Sequence, residues 1–274
     1  MIVQLVVLKV ILTPVLVGVA SLGARRWGPA AGGWIVSLPL TSGPVAFFLA
    51  VQSGPAFGAA TAEASMAGCV AIALYASAYA RAVLWAPARG WPMALAAGAV
   101  GWLAGALFVQ PVLHWPVGLL FIPVVAIALL ALRTMPSADA AETTTGRGPW
   151  EVPLRMALGT AIVLVVTAAA PLLGSGPAGI VAMLPIVVTI LAVFAHRGGG
   201  PEHGIAVQRG LLSGLVGTAC FLGVVAAALP AWGVGAAFLA AMIAVLAVQV
   251  VALRLLRGSV AGGLAIAGGE VPGG

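Results

Sequence analysis

The chain consists mainly of apolar runs of about 20 residues, the length that an α-helix needs to cross a bilayer, separated by short polar or Gly/Pro-containing breaks. Backbone groups in lipid must bond within their own segment, and the runs do not alternate as barrel strands would. We therefore predict an all-α, polytopic membrane protein with nine transmembrane helices. The predicted spans are Ile2–Leu22, Ala30–Val51, Ala56–Ala80, Trp91–Val109, Val112–Leu132, Val152–Leu173, Pro177–Ala195, Ile205–Leu229 and Trp232–Leu255.

Composition favours lipid as the solvent of this chain. Of its 274 residues, 62% are hydrophobic and 7% are charged, whereas a soluble domain carries about 25% charged residues. The net charge of +6 could suggest nucleic acid as a partner. The basic residues are spread one or two to a loop, however, so we predict the lipid bilayer as partner and no nucleic acid.

The basic residues predict an orientation. Short cytoplasmic loops are enriched in Lys and Arg. With the loops numbered alternately, all the arginines fall on one side, and the other side holds only Lys9, inside the first span. We therefore expect a protein of the cytoplasmic membrane with its N-terminus outside and its C-terminus inside. The arginines are Arg25, Arg26, Arg81, Arg89, Arg133, Arg147, Arg155, Arg197, Arg209, Arg254 and Arg257.

The two halves of the chain match with an offset of 146 residues and no gaps. Leu38-Pro39 matches Leu184-Pro185, and Gly54-Pro55 matches Gly200-Pro201. Chance identities are common among Ala, Gly and Val, so these proline matches carry most of the weight. Other matches are Lys9 with Arg155, Leu12 with Leu158, Val17 with Val163, Gly28 with Gly174, Gly33 with Gly179, Ala46 with Ala192, Phe48 with Phe194, Gly58 with Gly204, and Gly68 with Gly214.

This repeat predicts the organisation of the chain. Each copy holds four helices, and the fifth span links them, so the second copy is inverted in the membrane, as in many secondary transporters. We predict repeat 1 over 1–110, a linking helix and cytoplasmic loop over 111–150, repeat 2 over 151–257, and a Gly-rich flexible tail over 258–274.

The second copy resembles the GlpM family of small bacterial inner-membrane proteins, which are about as long as one copy. The family has been linked to production of the exopolysaccharide alginate. The resemblance implies two such units fused in opposite orientations, working as a pseudo-symmetric dimer. It lies in Leu154-Arg155-Met156-Ala157-Leu158-Gly159, in Ala178-Gly179-Ile180 leading to Pro185, and in the turn His196-Arg197-Gly198-Gly199. The first half joins it through Lys9, Gly33, Pro39 and Gly54.

The candidate substrate site is a proline-containing segment in each half. Proline removes a backbone donor and clashes with the preceding turn, so we expect these helices to kink or break. The freed carbonyls could bind a solute or cation; the alternative is a packing kink, because Pro and Gly are frequent in membrane helices. The candidate residues are Ser37, Pro39, Thr41, Ser42, Gly43 and Pro44 in the second span, with Pro185 and Thr189 in the seventh.

Charges within the predicted spans form a second group of candidates. Lys9 and Glu63 lie at similar depth below the outer surface, so they could pair. A protonatable Glu63 could instead serve a proton-coupled carrier, and Lys9 could extend outward to the interface. The repeat places Arg209 at the position of Glu63, so the arrangement is not symmetric.

The sequence favours no enzyme, metal or cofactor. His196, His203 and Glu202 bracket a short Gly-rich turn, but metal sites need convergent ligands of defined geometry, and we expect these side chains to lie in a solvated loop. We predict a carrier or permease for a small solute or ion. The alternative is a non-transporting scaffold or assembly partner in envelope or exopolysaccharide production.

Overall fold

The computed structural model describes residues 2–39, 42–113, 115–138 and 151–267, and every regular element in these ranges is helical. Short 3-10 turns lie at Pro87–Arg89 and Gln110–Val112. The α-helices are α1 (Ile2–Ser37), α2 (Ser42–Ser53), α3 (Pro55–Trp85), α4 (Gly90–Val109), α5 (Val117–Arg133), α6 (Glu151–Leu173), α7 (Ser175–Ala182), α8 (Ile186–Gly199) and α9 (Pro201–Ala267).

Several helical segments are long and apolar enough to cross a membrane, so the chain is a helical membrane protein, as predicted. The predicted count of nine spans stays a prediction, because only five segments of the described residues meet the requirements of length and composition. Those segments are Arg25–Ser53, Pro55–Trp85, Pro87–Val112, Ser175–Gly199 and Pro201–Val251, and Val117–Arg133 is a shorter apolar helix.

Helices bend at glycines that occupy matching positions in the two halves. Gly28 interrupts α1 with a φ of 88°, and Gly174 separates α6 from α7 with a φ of 81°. Gly54 (φ 93°) separates α2 from α3, and Gly200 (φ 94°) separates α8 from α9. Side chains rarely tolerate such φ values, which explains glycine at these turns. Gly233 (φ 73°) bends α9 in the same way.

The predicted proline breaks are present in both halves. Residue Ser37 ends α1 and Ser42 begins α2, while Ala182 ends α7 and Ile186 begins α8. Both breaks contain the matched Leu-Pro pair, whose proline cannot donate a backbone hydrogen bond. Leu40 and Thr41, within the first break, lie outside the described residues.

The first broken helix runs lengthwise along α9. Gly33 packs against the backbone of Val207, Ser37 packs against Gly214, and Gly43 packs against the ring of Phe221. These contacts advance in one direction along both chains. Residues 42–53 therefore continue along α9 in the same direction as residues 29–39 and do not turn back.

The second broken helix runs lengthwise along α3 in the same manner. Gly179 packs against the backbone of Thr61, Met183 packs against Gly68, and Thr189 bonds to Tyr75. Gly68 lies near the middle of α3, so the break between Ala182 and Ile186 lies at mid-height of this helix.

Helix α3 and the first part of α9 (residues 201–232) form the centre of the bundle and are antiparallel. The Met66 sulfur lies 3.2 Å from a Cβ placed on Gly223, and Tyr75 faces Gln208. On its other side α3 packs against α4, where a Cβ on Gly105 would lie 2.6 Å from the Ala71 Cα. Small residues at such crossings let membrane helices approach closely.

The described arginine contacts gather at one end of the bundle. Arg81 donates to the Thr134 hydroxyl over 3.3 Å, and Arg209 donates to the Met135 carbonyl over 3.2 Å. The Arg197 guanidinium lies 5.9 Å from the ring centre of Trp91. These contacts join the C-terminal ends of α3, α5 and α8 to the N-terminal ends of α4 and α9. The side chains of Arg147, Arg155, Arg254 and Arg257 lie outside the described residues.

Candidate functional site

The break between α1 and α2 is buried, and its polar groups are engaged. The Ser37 hydroxyl donates to the Trp34 carbonyl over 2.5 Å, and the Ser37 carbonyl accepts a hydrogen bond from the Thr218 hydroxyl. The Gly43 amide donates to the Pro39 carbonyl over 3.0 Å.

Beyond this break the surroundings become apolar. A Cβ on Gly43 would lie 3.4 Å from the Phe221 ring. Phe47 and Phe221 both make edge-to-face contacts with Phe238, with ring centres 5.3 and 6.0 Å from it. Ser42 is buried and Pro44 is half-buried. This half of the predicted site is therefore walled by aromatic rings.

Backbone carbonyls at the break between α7 and α8 also accept hydrogen bonds. The Trp102 indole donates to the Met183 carbonyl over 3.1 Å, and Ser65 donates to the Gly179 carbonyl over 2.9 Å. Pro185 accepts at its carbonyl from the Thr189 amide at 2.9 Å and the Thr189 hydroxyl at 2.5 Å. In both halves, side chains of neighbouring helices or of the next turn bind carbonyls that the breaks release.

The two broken helices contact each other through apolar side chains. Val45 and Leu49 of α2 form one buried cluster with Ala178 and Ala182 of α7, and Phe57 packs against it. Those predicted site residues that the structure describes therefore do not share one polar pocket between the two halves. Each set faces its own long partner helix.

A polar cluster that the sequence did not predict lies where α8 meets α3 and α9. The hydroxyls of Tyr75 and Thr189 are 2.7 Å apart. Gln208 of α9 is fully buried and faces the Tyr75 hydroxyl. Neither the amide nitrogen nor the amide oxygen of Gln208 makes a hydrogen bond of normal geometry within the described residues.

One turn further along α3, a second polar contact lies toward the arginine-rich end. The Tyr79 hydroxyl is 3.2 Å from His196 Nδ1. The expectation that His196 and His203 lie in a solvated loop is wrong, because His196 belongs to α8 and His203 is buried at the start of α9. The only residue between these two helices is Gly200, so the predicted loop is a single-residue turn.

One sequence signal could have identified this cluster. Tyr75 and Tyr79 are the only tyrosines of the chain, and a spacing of four residues places them on one helix face. Gln208 is the only amide side chain in the predicted span Ile205–Leu229. The hydrophobic periodicity of the sequence does not show which helix these residues contact, because that depends on the tertiary packing.

The predicted intramembrane charges lie apart from this cluster. Glu63 is half-buried on α3, midway between Thr61 and Ser65, so it points away from the side that contacts α7. The side chain of Lys9 lies outside the described residues, so its pairing with Glu63 stays a prediction. Arg209 is exposed and bonds to the chain segment that follows α5.

Among the described residues, no group of three or more His, Cys, Asp or Glu side chains could hold a metal ion. No protein-family model, curated protein or solved structure matches the chain.

Proposed function

We propose that the protein is a carrier or permease for a small solute or ion in the cytoplasmic membrane, built from two inverted four-helix units about a linking helix. The observation that carries this proposal is reciprocal packing. Gly33 packs on Val207, and Gly179 packs on Thr61; each residue of the second contact lies 146 positions from its counterpart in the first. Inverted repeats with discontinuous helices are a common architecture of secondary transporters, with the site near the bilayer midplane.

The direction of the central helices supports an inverted arrangement. Because α3 and the first part of α9 are antiparallel, a rotation that exchanges them must be about an axis perpendicular to both. If both helices cross the membrane, that axis lies in the membrane plane. The arginine contacts at one end support the predicted orientation, with that end in the cytoplasm.

The second candidate is a non-transporting membrane partner in envelope or exopolysaccharide production, as the GlpM resemblance implies. The apolar contact of Val45 and Leu49 with α7 favours it, and so do the bonded carbonyls of Ser37 and Met183. A carrier must open these contacts during its cycle, whereas an assembly partner can keep them closed.

Cysteine accessibility distinguishes the two candidates without a known substrate. Cys69 and Cys220 are first replaced by alanine, and a single cysteine is introduced as Ser42→Cys or Thr189→Cys. A membrane-impermeant thiol reagent is then applied to intact cells and to inside-out vesicles. For a carrier we expect labelling of Ser42→Cys from outside and Thr189→Cys from inside.

The control is Ala71→Cys, at a fully buried position beneath α4, which should stay unlabelled from both sides. If both test positions are as unreactive as this control in folded protein, the carrier proposal is wrong and the assembly partner is favoured. A C-terminal GFP fusion should fluoresce and a C-terminal alkaline phosphatase fusion should be inactive; an active phosphatase would contradict the proposed orientation and span count.

A further inference from the structure

The amide of Gln208 is the polar group least explained by the packing. It is fully buried in α9, and neither its nitrogen nor its oxygen makes a hydrogen bond of normal geometry among the described residues, although the Tyr75 hydroxyl lies close enough to interact with it. Gln249, the other buried glutamine of the same helix, has both amide atoms bonded, to Trp34 and to the Gly214 carbonyl. A buried amide whose donors and acceptor are not fully bonded is unfavourable in apolar surroundings, and the Tyr75 hydroxyl alone cannot satisfy both its NH2 group and its oxygen. The geometry at Gln208 therefore calls for an occupant that both donates and accepts hydrogen bonds.

The groups around Gln208 determine the chemistry of that occupant. The Tyr75 hydroxyl faces the amide. The Thr189 hydroxyl lies 2.7 Å from the Tyr75 hydroxyl and donates to the Pro185 carbonyl. None of these groups carries a formal charge. An ion would be held without a counter-charge in a low-dielectric interior, which is unfavourable.

We propose that Gln208, Tyr75 and Thr189 form the binding site for a small, uncharged polar solute with an amide-like pattern of donors and acceptors. This inference rests on the proposed carrier function, because it assigns the class of solute carried. The site lies on the cytoplasmic side of the α7–α8 break, since Thr189 follows Pro185 toward the arginine-rich end.

The contact between Tyr79 and His196 lies on the cytoplasmic side of this site. Tyr79 follows Tyr75 by one turn of α3, and its hydroxyl lies 3.2 Å from His196 Nδ1. Gly200, with a φ of 94°, allows α8 to turn directly into α9 beside it. This contact therefore lies between the proposed site and the arginine-rich end, where a solute moving along α3 and α8 would meet it.

Three probes of similar size test the proposed ligand class. Acetamide is neutral and both donates and accepts hydrogen bonds, acetate is an anion, and ethylammonium is a cation. Each is added to the detergent-purified full chain, and binding is followed by the shift in thermal midpoint and by ligand-observed NMR. Because the probes have only four non-hydrogen atoms at most, even a good fit gives a Kd on the order of 0.1 mM or weaker. We expect acetamide to bind and to raise the midpoint, and the two ions to bind more weakly.

The variants take the residues of the other half at matching positions. Gln208→Ala copies Ala62, and Tyr75→Phe copies Phe221. Each should weaken acetamide binding by about tenfold. Gln249→Leu, which copies Leu103, removes a bonded buried glutamine and is the matched control: it should lose stability and keep acetamide affinity.

Several outcomes would overturn the site. They are no acetamide binding to the wild type, unchanged affinity in Gln208→Ala or in Tyr75→Phe, and tighter binding of acetate or ethylammonium. Acetamide binding, in a protein whose Ser42→Cys and Thr189→Cys variants are never labelled, would support the binding site and contradict the carrier function. Labelling from both sides without acetamide binding would support the carrier function and contradict this binding site.

Discussion

The two interfaces between a broken helix and its long partner share a backbone arrangement and differ in chemistry. Where α8 lies on α3, Thr189 bonds to Tyr75. At the corresponding positions where α2 lies on α9, Gly43 packs against the Phe221 ring. The glycines that set the helix crossings occur in both halves, whereas the bonded hydroxyl pair of Tyr75 and Thr189 occurs in one. Packing and polar chemistry are therefore separable in this molecule, and each can be tested by exchanging residues between the halves.

The largest expected effect tests the shared packing. Gly33→Val and Gly179→Val each place a side chain against backbone, of Val207 and Thr61 respectively. Backbone cannot shift as a side-chain end can, so each variant should lose about 3 kcal/mol of stability or more. The measurement is the yield of monodisperse protein and its thermal midpoint.

The control for this pair is Gly118→Ala, because a Cβ at Gly118 meets nothing within 4 Å. It should be neutral or slightly stabilising. If Gly179→Val is tolerated and Gly33→Val is not, the two halves do not share one packing arrangement and the comparison fails.

A smaller effect tests the groups that bind the carbonyls at the breaks. Thr218→Val removes the donor to the Ser37 carbonyl, and Trp102→Phe removes the donor to the Met183 carbonyl. Each leaves a carbonyl unbonded in apolar surroundings and should lower stability by about 1–3 kcal/mol. Thr160→Val, whose hydroxyl bonds to the Met156 carbonyl of its own helix among the described contacts, should change the thermal midpoint little. An unchanged midpoint in both break variants would mean that the carbonyls find other partners.

The sequence predicted the helix breaks for a local reason. Pro39 and Pro185 remove backbone donors, so the residue type alone points to a break. Gly28, Gly54 and their counterparts entered the prediction only as matches of the repeat, and their positive φ values are a finding of the structure. The same local reasoning marked Ser37 and Thr189 as polar groups near a break.

Local sequence reasoning could not identify the side chains that contact these breaks. Thr218, Trp102, Gln208 and the two tyrosines reach the breaks from helices distant in the sequence, and their side chains show no motif. The prediction of a solvated His196 followed from neighbouring glycines that suggested a loop. The structure continues α8 through His196 to Gly199 and turns only at Gly200.

A residue exchange tests the difference in chemistry. Tyr75→Phe removes the hydroxyl bonded to Thr189, which keeps its bond to the Pro185 carbonyl, so the loss should be about 1 kcal/mol or less. Phe221→Tyr places a hydroxyl near Gly43 and Phe238, where aromatic and backbone groups offer it little, and should cost about 1–2 kcal/mol. The measurement is the thermal midpoint of each variant relative to the wild type. A stabilising Phe221→Tyr would show that the aromatic half also contains a hydrogen-bond acceptor, and the contrast between the halves would disappear.

The smallest expected effect concerns the acid and the base at matching positions. Glu63 and Arg209 each lie eight residues after the proline that begins α3 or α9, but α3 and α9 are antiparallel, so the two side chains lie toward opposite ends of the bundle. Glu63 is half-buried, so Glu63→Gln should lower stability by only about 1 kcal/mol or less. If the predicted pair with Lys9 forms, adding Lys9→Met should restore part of that loss.

If Glu63 instead couples proton movement to transport, Glu63→Gln should keep the wild-type midpoint and abolish function, and Lys9→Met should not restore it. The proposed pair is favoured, because the second half holds no acid at the matching position and a coupling carboxylate would then serve one half only. A variant that keeps both its midpoint and its function would contradict both roles and place Glu63 in the outer interface.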